Sequence, residues 1–141
     1  EVVYNANILL KEGQKINYPD NIDEFSLYHD EKAIELILSN LVHNAVKYSP
    51  ENTSINIHIT QNKKDTIIII KDEGIGIPIN DQKNIFQRYF RAENVLLTQG
   101  TGIGLNIVKS HLENLGGTIS FISEEHVGSE FTVTIPNRHK Q

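Results

Sequence analysis

Four consecutive isoleucines occupy positions 67–70, between Thr66 and Lys71. β-branched side chains are stiff at χ1 and suit a pleated backbone. An apolar run this short reads as a strand buried on both faces. Such a strand needs partners for its backbone groups, and the sequence offers them. Residues 54–60 read as a second strand, joined to 66–71 by a polar turn at 61–65. Residues 118–123 and 129–135 read as a final pair around a polar turn containing Gly128. Lys15-Ile16-Asn17-Tyr18 alternates before Pro19-Asp20 and reads as a short strand, as does 25–28.

Helical pattern separates these strands. Asp30 is a suitable N-cap and Glu31 favours the first turn. The helix then runs to Tyr48, where Ser49-Pro50 stops it. Its apolar stripe is Ile34, Ile37, Leu38, Leu41 and Ala45. A short helix is expected within 81–90. A second long helix is expected over 102–115, closed by Gly116-Gly117. Residues 91–101 lack apolar periodicity and are expected to form a mobile loop. Residues 1–14, with an apolar Ile8-Leu9-Leu10 run and a stop at Gly13, have the pattern of a helix end.

At 141 residues the chain fits one domain, 1–141, with a single core. The net charge of −5 disfavours non-specific binding to nucleic acid. The absence of cysteine removes disulfides and thiolate ligands, and fits a reducing cytoplasm. No segment reaches the ~20 apolar residues needed to span a bilayer, so no direct membrane contact is expected. The chain opens on Glu1 and lacks methionine, so an excised piece of a longer protein is expected. A membrane-anchored parent is compatible with that.

Three clusters carry chemistry. On the first long helix, Asn40, Asn44 and Lys47 fall within an arc of roughly 60° at ~100° per residue. Amide oxygens are hard neutral ligands suited to Mg²⁺, and an ammonium suits phosphate. The plain alternative is a solvated polar face. Next comes Asp72-Glu73-Gly74-Ile75-Gly76-Ile77-Pro78. A carboxylate at a strand end, followed by glycines that permit close approach, can accept from an exocyclic amino group such as adenine's. The alternative is a surface turn that uses Asp and Gly for backbone reasons. The third is Gly100-Thr101-Gly102-Ile103-Gly104-Leu105 at a helix start, where free N–H groups favour an anion. Its glycine spacing fits neither a dinucleotide fingerprint nor a P-loop. The six histidines show no metal-ligand spacing.

In this order the clusters resemble the Bergerat-type ATP-binding fold of histidine kinases, type II topoisomerases, Hsp90 chaperones and mismatch-repair ATPases. The stretch Leu38-Ser-Asn-Leu-Val-His-Asn-Ala-Val-Lys-Tyr-Ser-Pro50 looks like the histidine-kinase N box. Residues 72–78 look like the first glycine box, Ile85-Phe-Gln-Arg-Tyr-Phe-Arg91 like the F box, and 100–105 like the second glycine box. The resemblance covers residues 30–136.

It implies a two-layer α/β sandwich: a mixed sheet on one side, helices on the other, and ATP between them under a mobile lid at 85–101. It implies that Asn44 ligates Mg²⁺, with Asn40 beside it. Lys47 would approach the phosphates, and Tyr48 would pack on adenine or ribose. Asp72 would hold the adenine amino group in a pocket shaped by Gly74, Gly76 and Ile77. Arg91 would reach the γ-phosphate. Gly102, Ile103, Gly104 and Leu105 would bring backbone amides to the phosphates. Phe86 and Phe90 would pack the lid against the domain or a partner helix.

The family's phosphoacceptor histidine lies on a separate helical hairpin. Neither His29-Asp30 nor His43-Asn44 fits that role, and residues 1–14 are expected to be the remnant of the connection to the hairpin. The implied partners are that hairpin and a downstream response regulator. In the hydrolase branch a glutamate stands four residues before the metal-binding asparagine. Here the position is Asn40, and an amide cannot serve as a general base. The reading is therefore a protein-histidine kinase. The alternatives are a Bergerat-type ATPase, an anti-sigma serine kinase and a non-catalytic nucleotide-binding module.

Overall fold

A computed structural model describes residues 2–19, 31–87 and 104–137. In chain order the elements are α1 (Val2–Asn7), β1 (Lys15–Asn17), α2 (Glu31–Tyr48), β2 (Ser54–Gln61) and β3 (Asp65–Asp72). A 3₁₀ helix (Ile79–Asn84), α3 (Gly104–Asn114), β4 (Thr118–Glu124) and β5 (Gly128–Pro136) complete the order. The five strands form one sheet in the order β1-β2-β3-β5-β4. β1 pairs with β2 in parallel and every other pairing is antiparallel, so the sheet is mixed.

Local chemistry sets the joints. In the β2–β3 hairpin, Asn62 Oδ1 accepts from the N–H groups of Lys64 (2.8 Å) and Asp65 (2.7 Å). An Asn side chain that mimics a backbone turn in this way favours a tight reversal. α3 closes in a Schellman motif: Gly117 N–H reaches Leu112 O at 2.7 Å and Gly116 N–H reaches Glu113 O at 3.1 Å.

The helices cover one face of the sheet. Ala33, Ile37, Leu41, Val42, Ala45 and Val46 of α2 meet Val108 and Leu112 of α3 over Ile55, Ile57, Ile68, Ile70, Val133 and Ile135. Ala6 of α1 joins the same cluster. The expected stripe on α2 is thus widened by Val42 and Val46, while Ile34 and Leu38 pack only at its margin.

The isoleucine run departs from the expectation that it is buried on both faces. Ile68 and Ile70 are buried, whereas Ile67 and Ile69 are only partly covered. Their neighbours across the strands are Thr60 and Thr134 for Ile67, and His58 and Thr132 for Ile69. β3 is central in the sheet, but an antiparallel-type sheet can leave one face to solvent, and the helices cover only the other.

Other boundaries also moved. The short helix after Pro78 is 3₁₀ and begins at Ile79, two residues before the expected start. α1 ends at Asn7, so the Ile8-Leu9 run follows the helix and is exposed. The expected strand at 25–28, the Asp30 cap, the loop 91–101, and residues 102 and 103 lie outside the described residues. The edge strand β1 and the carboxyl ends of α2 and β3 meet at one end of the sheet, where the first two expected clusters come together.

Candidate functional site

β3 delivers Asp72 to the end of the sheet, half-buried, opposite Ser129 of β5. One carboxylate oxygen, Oδ1, accepts from Gly74 N–H at 2.9 Å and Ser129 N–H at 3.1 Å. No hydrogen bond to the second oxygen is seen among the described residues. Burial pushes the Asp72 pKa above the ordinary carboxylate value, and the two backbone N–H donors pull against that rise. Desolvation is the larger influence.

The loop after Asp72 is pressed against its surroundings. A Cβ on Gly74 would lie 2.7 Å from Tyr48 O, 2.9 Å from Asp72 Oδ1 and 3.2 Å from Ser49 Oγ, so only glycine fits. Gly76 has φ +69° and a Cβ there would strike the Glu124 carbonyl, so glycine is required on both counts. Ile75 N–H donates to Tyr48 O at 3.1 Å, and Ile75 O accepts from His126 N–H at 2.7 Å. Ile77 N–H donates to Ser123 Oγ at 2.8 Å. Gln82 Nε2 reaches Ile77 O (3.1 Å) and Ser123 O (3.0 Å), which ties the loop to the edge strand.

The other polar cluster lies on α2. Asn40 and Asn44 are half-buried, and Lys47 is exposed. Asn40 Nδ2 donates to Leu36 O at 2.8 Å, which orients the amide. Lys47 Nζ lies 5.3 Å from the ring centre of Tyr48, within cation–π range. Tyr48 is half-buried at the helix end, and its carbonyl is the acceptor that holds Ile75. The structure therefore ties the C-terminus of the helix that carries Asn40, Asn44 and Lys47 to the loop after Asp72 through the Tyr48 carbonyl.

Of the third cluster, Gly104 is the first described residue of α3 and Leu105 packs at the margin of the core. Gly102, Ile103 and Arg91 lie outside the described residues. Phe86 packs against the domain: its ring meets Phe121 edge-on at 5.9 Å, and Phe121 stacks on Phe131 at 5.6 Å. Asn106 of α3 donates to Phe86 O at 3.1 Å, and Lys109 Nζ lies 5.6 Å from the same ring. Phe90 lies outside the described residues.

Sequence reasoning missed three serines. Ser129 fixes Asp72 by its backbone N–H and bonds Ser123 through its hydroxyl at 2.7 Å. The signal for it is the register Asp72↔Ser129, which no local motif carries. Ser49 is 1% exposed and its hydroxyl has no hydrogen-bond partner among the described residues. It borders the same space as Asp72 Oδ1 beside Gly74. A buried hydroxyl without a partner is costly, so this one fits a pocket whose polar contacts are completed by a ligand or water. The residues present thus suit a nucleotide: a carboxylate acceptor at one end, and amide oxygens with an ammonium along one helix.

Comparison with known proteins agrees. The family described as "Histidine kinase-, DNA gyrase B-, and HSP90-like ATPase" matches residues 29–139. The sensor histidine kinase WalK of Bacillus subtilis is 35% identical over 134 residues, covering 91% of this chain and 22% of that protein. The histidine protein kinase SaeS of Staphylococcus aureus is 42% identical over 125 residues, covering 86% of this chain and 35% of that protein. The chain therefore spans about a third or less of the length of these relatives. The structure of the mycobacterial sensor histidine kinase MprB superposes with a TM-score of 0.79 over 97% of this chain and 94% of that one, at 21% identity, which speaks for the fold alone. With four ordered sequence boxes, a mixed α/β sandwich and a family match across most of its length, the chain belongs to the histidine kinase-, DNA gyrase B- and HSP90-like ATPases.

Proposed function

We propose that the chain is the Mg-ATP-binding catalytic domain of a two-component sensor histidine kinase, and that it passes the γ-phosphoryl group to a histidine on a separate domain of its parent. The observation that carries this reading is the Asp72 carboxylate. It is pinned through Oδ1 and set beside the helix that bears Asn40, Asn44 and Lys47. Asp72 Oδ2 accepts the adenine amino group, and Tyr48 and Ile77 flank the base. Asn44, with Asn40 beside it, holds Mg²⁺, which supplies charge neutralisation on the phosphates. Lys47, Arg91 and the amides of Gly102, Ile103, Gly104 and Leu105 add positive potential around the phosphates.

Kinase is favoured over hydrolase by Asn40. Its amide is held to Leu36 O by its own helix and has no basicity with which to activate water. The acceptor histidine and the response regulator belong to other domains or chains, so this domain alone binds ATP with little turnover. The reading places the domain in the cytoplasm, where ATP and response regulators are found. No helix among the described residues is long and apolar enough to cross a membrane.

The test is calorimetry with Mg-ATP and Mg-GTP. Guanine presents a carbonyl where adenine presents its amino group, so two acceptors would face each other. The mismatch costs on the order of 1–3 kcal/mol, and ATP should bind about tenfold or more tighter. Equal affinity for the two nucleotides would overturn the assignment.

A further inference from the structure

The last carbonyls of an α-helix have no partner within the helix, and a proline just beyond the end cannot extend it. α2 ends at Tyr48 and is followed by Ser49-Pro50. Its terminal carbonyls are met by two side chains from the segment before β1. Lys11 Nζ donates to Lys47 O at 2.9 Å and to Ser49 O at 2.6 Å. Gln14 Nε2 lies within 3.2 Å of Val46 O, 2.9 Å of Ser49 O and 3.2 Å of Pro50 O. Gln14 is 6% exposed, and its own Oε1 accepts from Lys11 N–H at 2.8 Å, so the amide is held at both ends. The ammonium also sits at the negative end of the helix, where a cation is favoured.

The carbonyl left out of this clamp is Tyr48 O, and it holds Ile75 in the glycine loop. The end of α2 is therefore gripped from two sides, by residues 11–14 on one and by the loop that fixes Asp72 and Gly74 on the other. Two backbone bonds extend the first grip: Asn52 N–H to Glu12 O at 3.0 Å, and Lys15 N–H to Thr53 O at 3.2 Å. The residues at this junction, Lys47, Tyr48 and Ser49, border the proposed nucleotide site.

We propose that Lys11 and Gln14 are positioning residues of the nucleotide pocket: by holding the carbonyls of residues 46, 47, 49 and 50 they set where Tyr48 and the 74–76 loop stand, so the conformation of residues 11–14 governs adenine affinity. This rests on the nucleotide reading above. Neither side chain is assigned a contact with the nucleotide. A movement of the segment before β1 would then be felt at the base end of the pocket.

The test uses the whole chain with Lys11→Met, Lys11→Arg and Gln14→Leu. Calorimetry with Mg-ATP and with adenosine is run well below each thermal midpoint, and melting is followed separately. Lys11→Met should weaken both ligands by about fivefold or more, because the base end is what moves, and Lys11→Arg should restore binding. Gln14→Leu should have the larger effect. If it does not fold, the exposed Lys11 pair still decides the matter. Lower melting temperatures with unchanged affinities in the folded variants would reduce the clamp to a structural role and overturn the proposal. Failure of the unsubstituted chain to bind either ligand would instead overturn the nucleotide reading, and this inference with it.

Discussion

The two ends of the proposed pocket are built differently. At the base end almost every polar group is already engaged: Asp72 Oδ1 with two N–H groups, Ile75 with Tyr48 and His126, Ile77 with Ser123, and Gln82 with both sides. At the phosphate end the named groups are side chains along one helix face, from half-buried Asn40 to exposed Lys47. In the proposed reading, recognition of the base rests on backbone geometry that the fold sets around Asp72. Handling of the phosphates, in the same reading, rests on side chains of one helix, where Asn40 is held to Leu36 O and Lys47 lies over the Tyr48 ring. Substitutions at the first end should therefore disturb shape and selectivity, and at the second end metal dependence.

The largest effect is expected at the phosphate end. Asn44→Ala should abolish most of the Mg²⁺ dependence of ATP binding, measured by calorimetry with and without the metal, while leaving the melting temperature nearly unchanged. An equal Mg²⁺ enhancement in that variant would remove Asn44 from the metal site. Gly76→Ala tests the base end through its backbone. A Cβ there meets the Glu124 carbonyl at a positive φ, so the domain should lose about 2 kcal/mol or more of stability in denaturant unfolding, and adenosine affinity with it. Wild-type stability would mean the loop is far looser than described.

Asp72→Asn separates shape from charge. The amide keeps an oxygen for Gly74 and Ser129 N–H, so the fold should survive, while ATP affinity and the preference over GTP should fall by about 1–3 kcal/mol. The pKa direction gives the sign of the pH effects. A carboxylate raised above its unfolded value contributes stability at pH below the unfolded value, and that contribution is lost as pH rises through the folded value. Taken alone, Asp72 therefore stabilises the fold on acidification, whereas the proposed adenine binding, favoured by the ionised acceptor, should weaken over the same range. The difference between the natural chain and Asp72→Asn, in calorimetry and melting across an acid titration, should show these opposed trends. The smallest effect is expected from Ser129→Ala. It removes the hydroxyl bond to Ser123 but keeps the N–H to Asp72, so stability should fall by about 0.5–1.5 kcal/mol with nucleotide affinity nearly constant.

The same contrast explains what could be read from the sequence. The placement of the clusters on α2 and after β3 was legible because it is local: helical spacing groups Asn40, Asn44 and Lys47, and Asp72 precedes its own glycines. The strands were legible from alternation and turn residues, to within a residue or two. Ser129 and Ser123 were not, because their roles depend on β5 pairing with β3 and β4 in a given register. Lys11 and Gln14 escaped for the same reason, since their partners lie far along the chain at the end of α2. The isoleucine run misled because composition shows what a strand could bury. Which face is covered depends on where the helices pack.

The most direct test of the central claim follows radiolabelled ATP. On the proposed reading the domain alone should bind the nucleotide and release almost no phosphate, because the acceptor histidine lies on another domain and Asn40 cannot activate water. Addition of the parent's histidine-bearing hairpin in trans should then transfer the label to the hairpin as an acid-labile phosphohistidine. Steady release of free phosphate by the domain alone, at about 1 s⁻¹ or faster, would contradict the kinase account and make the chain a hydrolase.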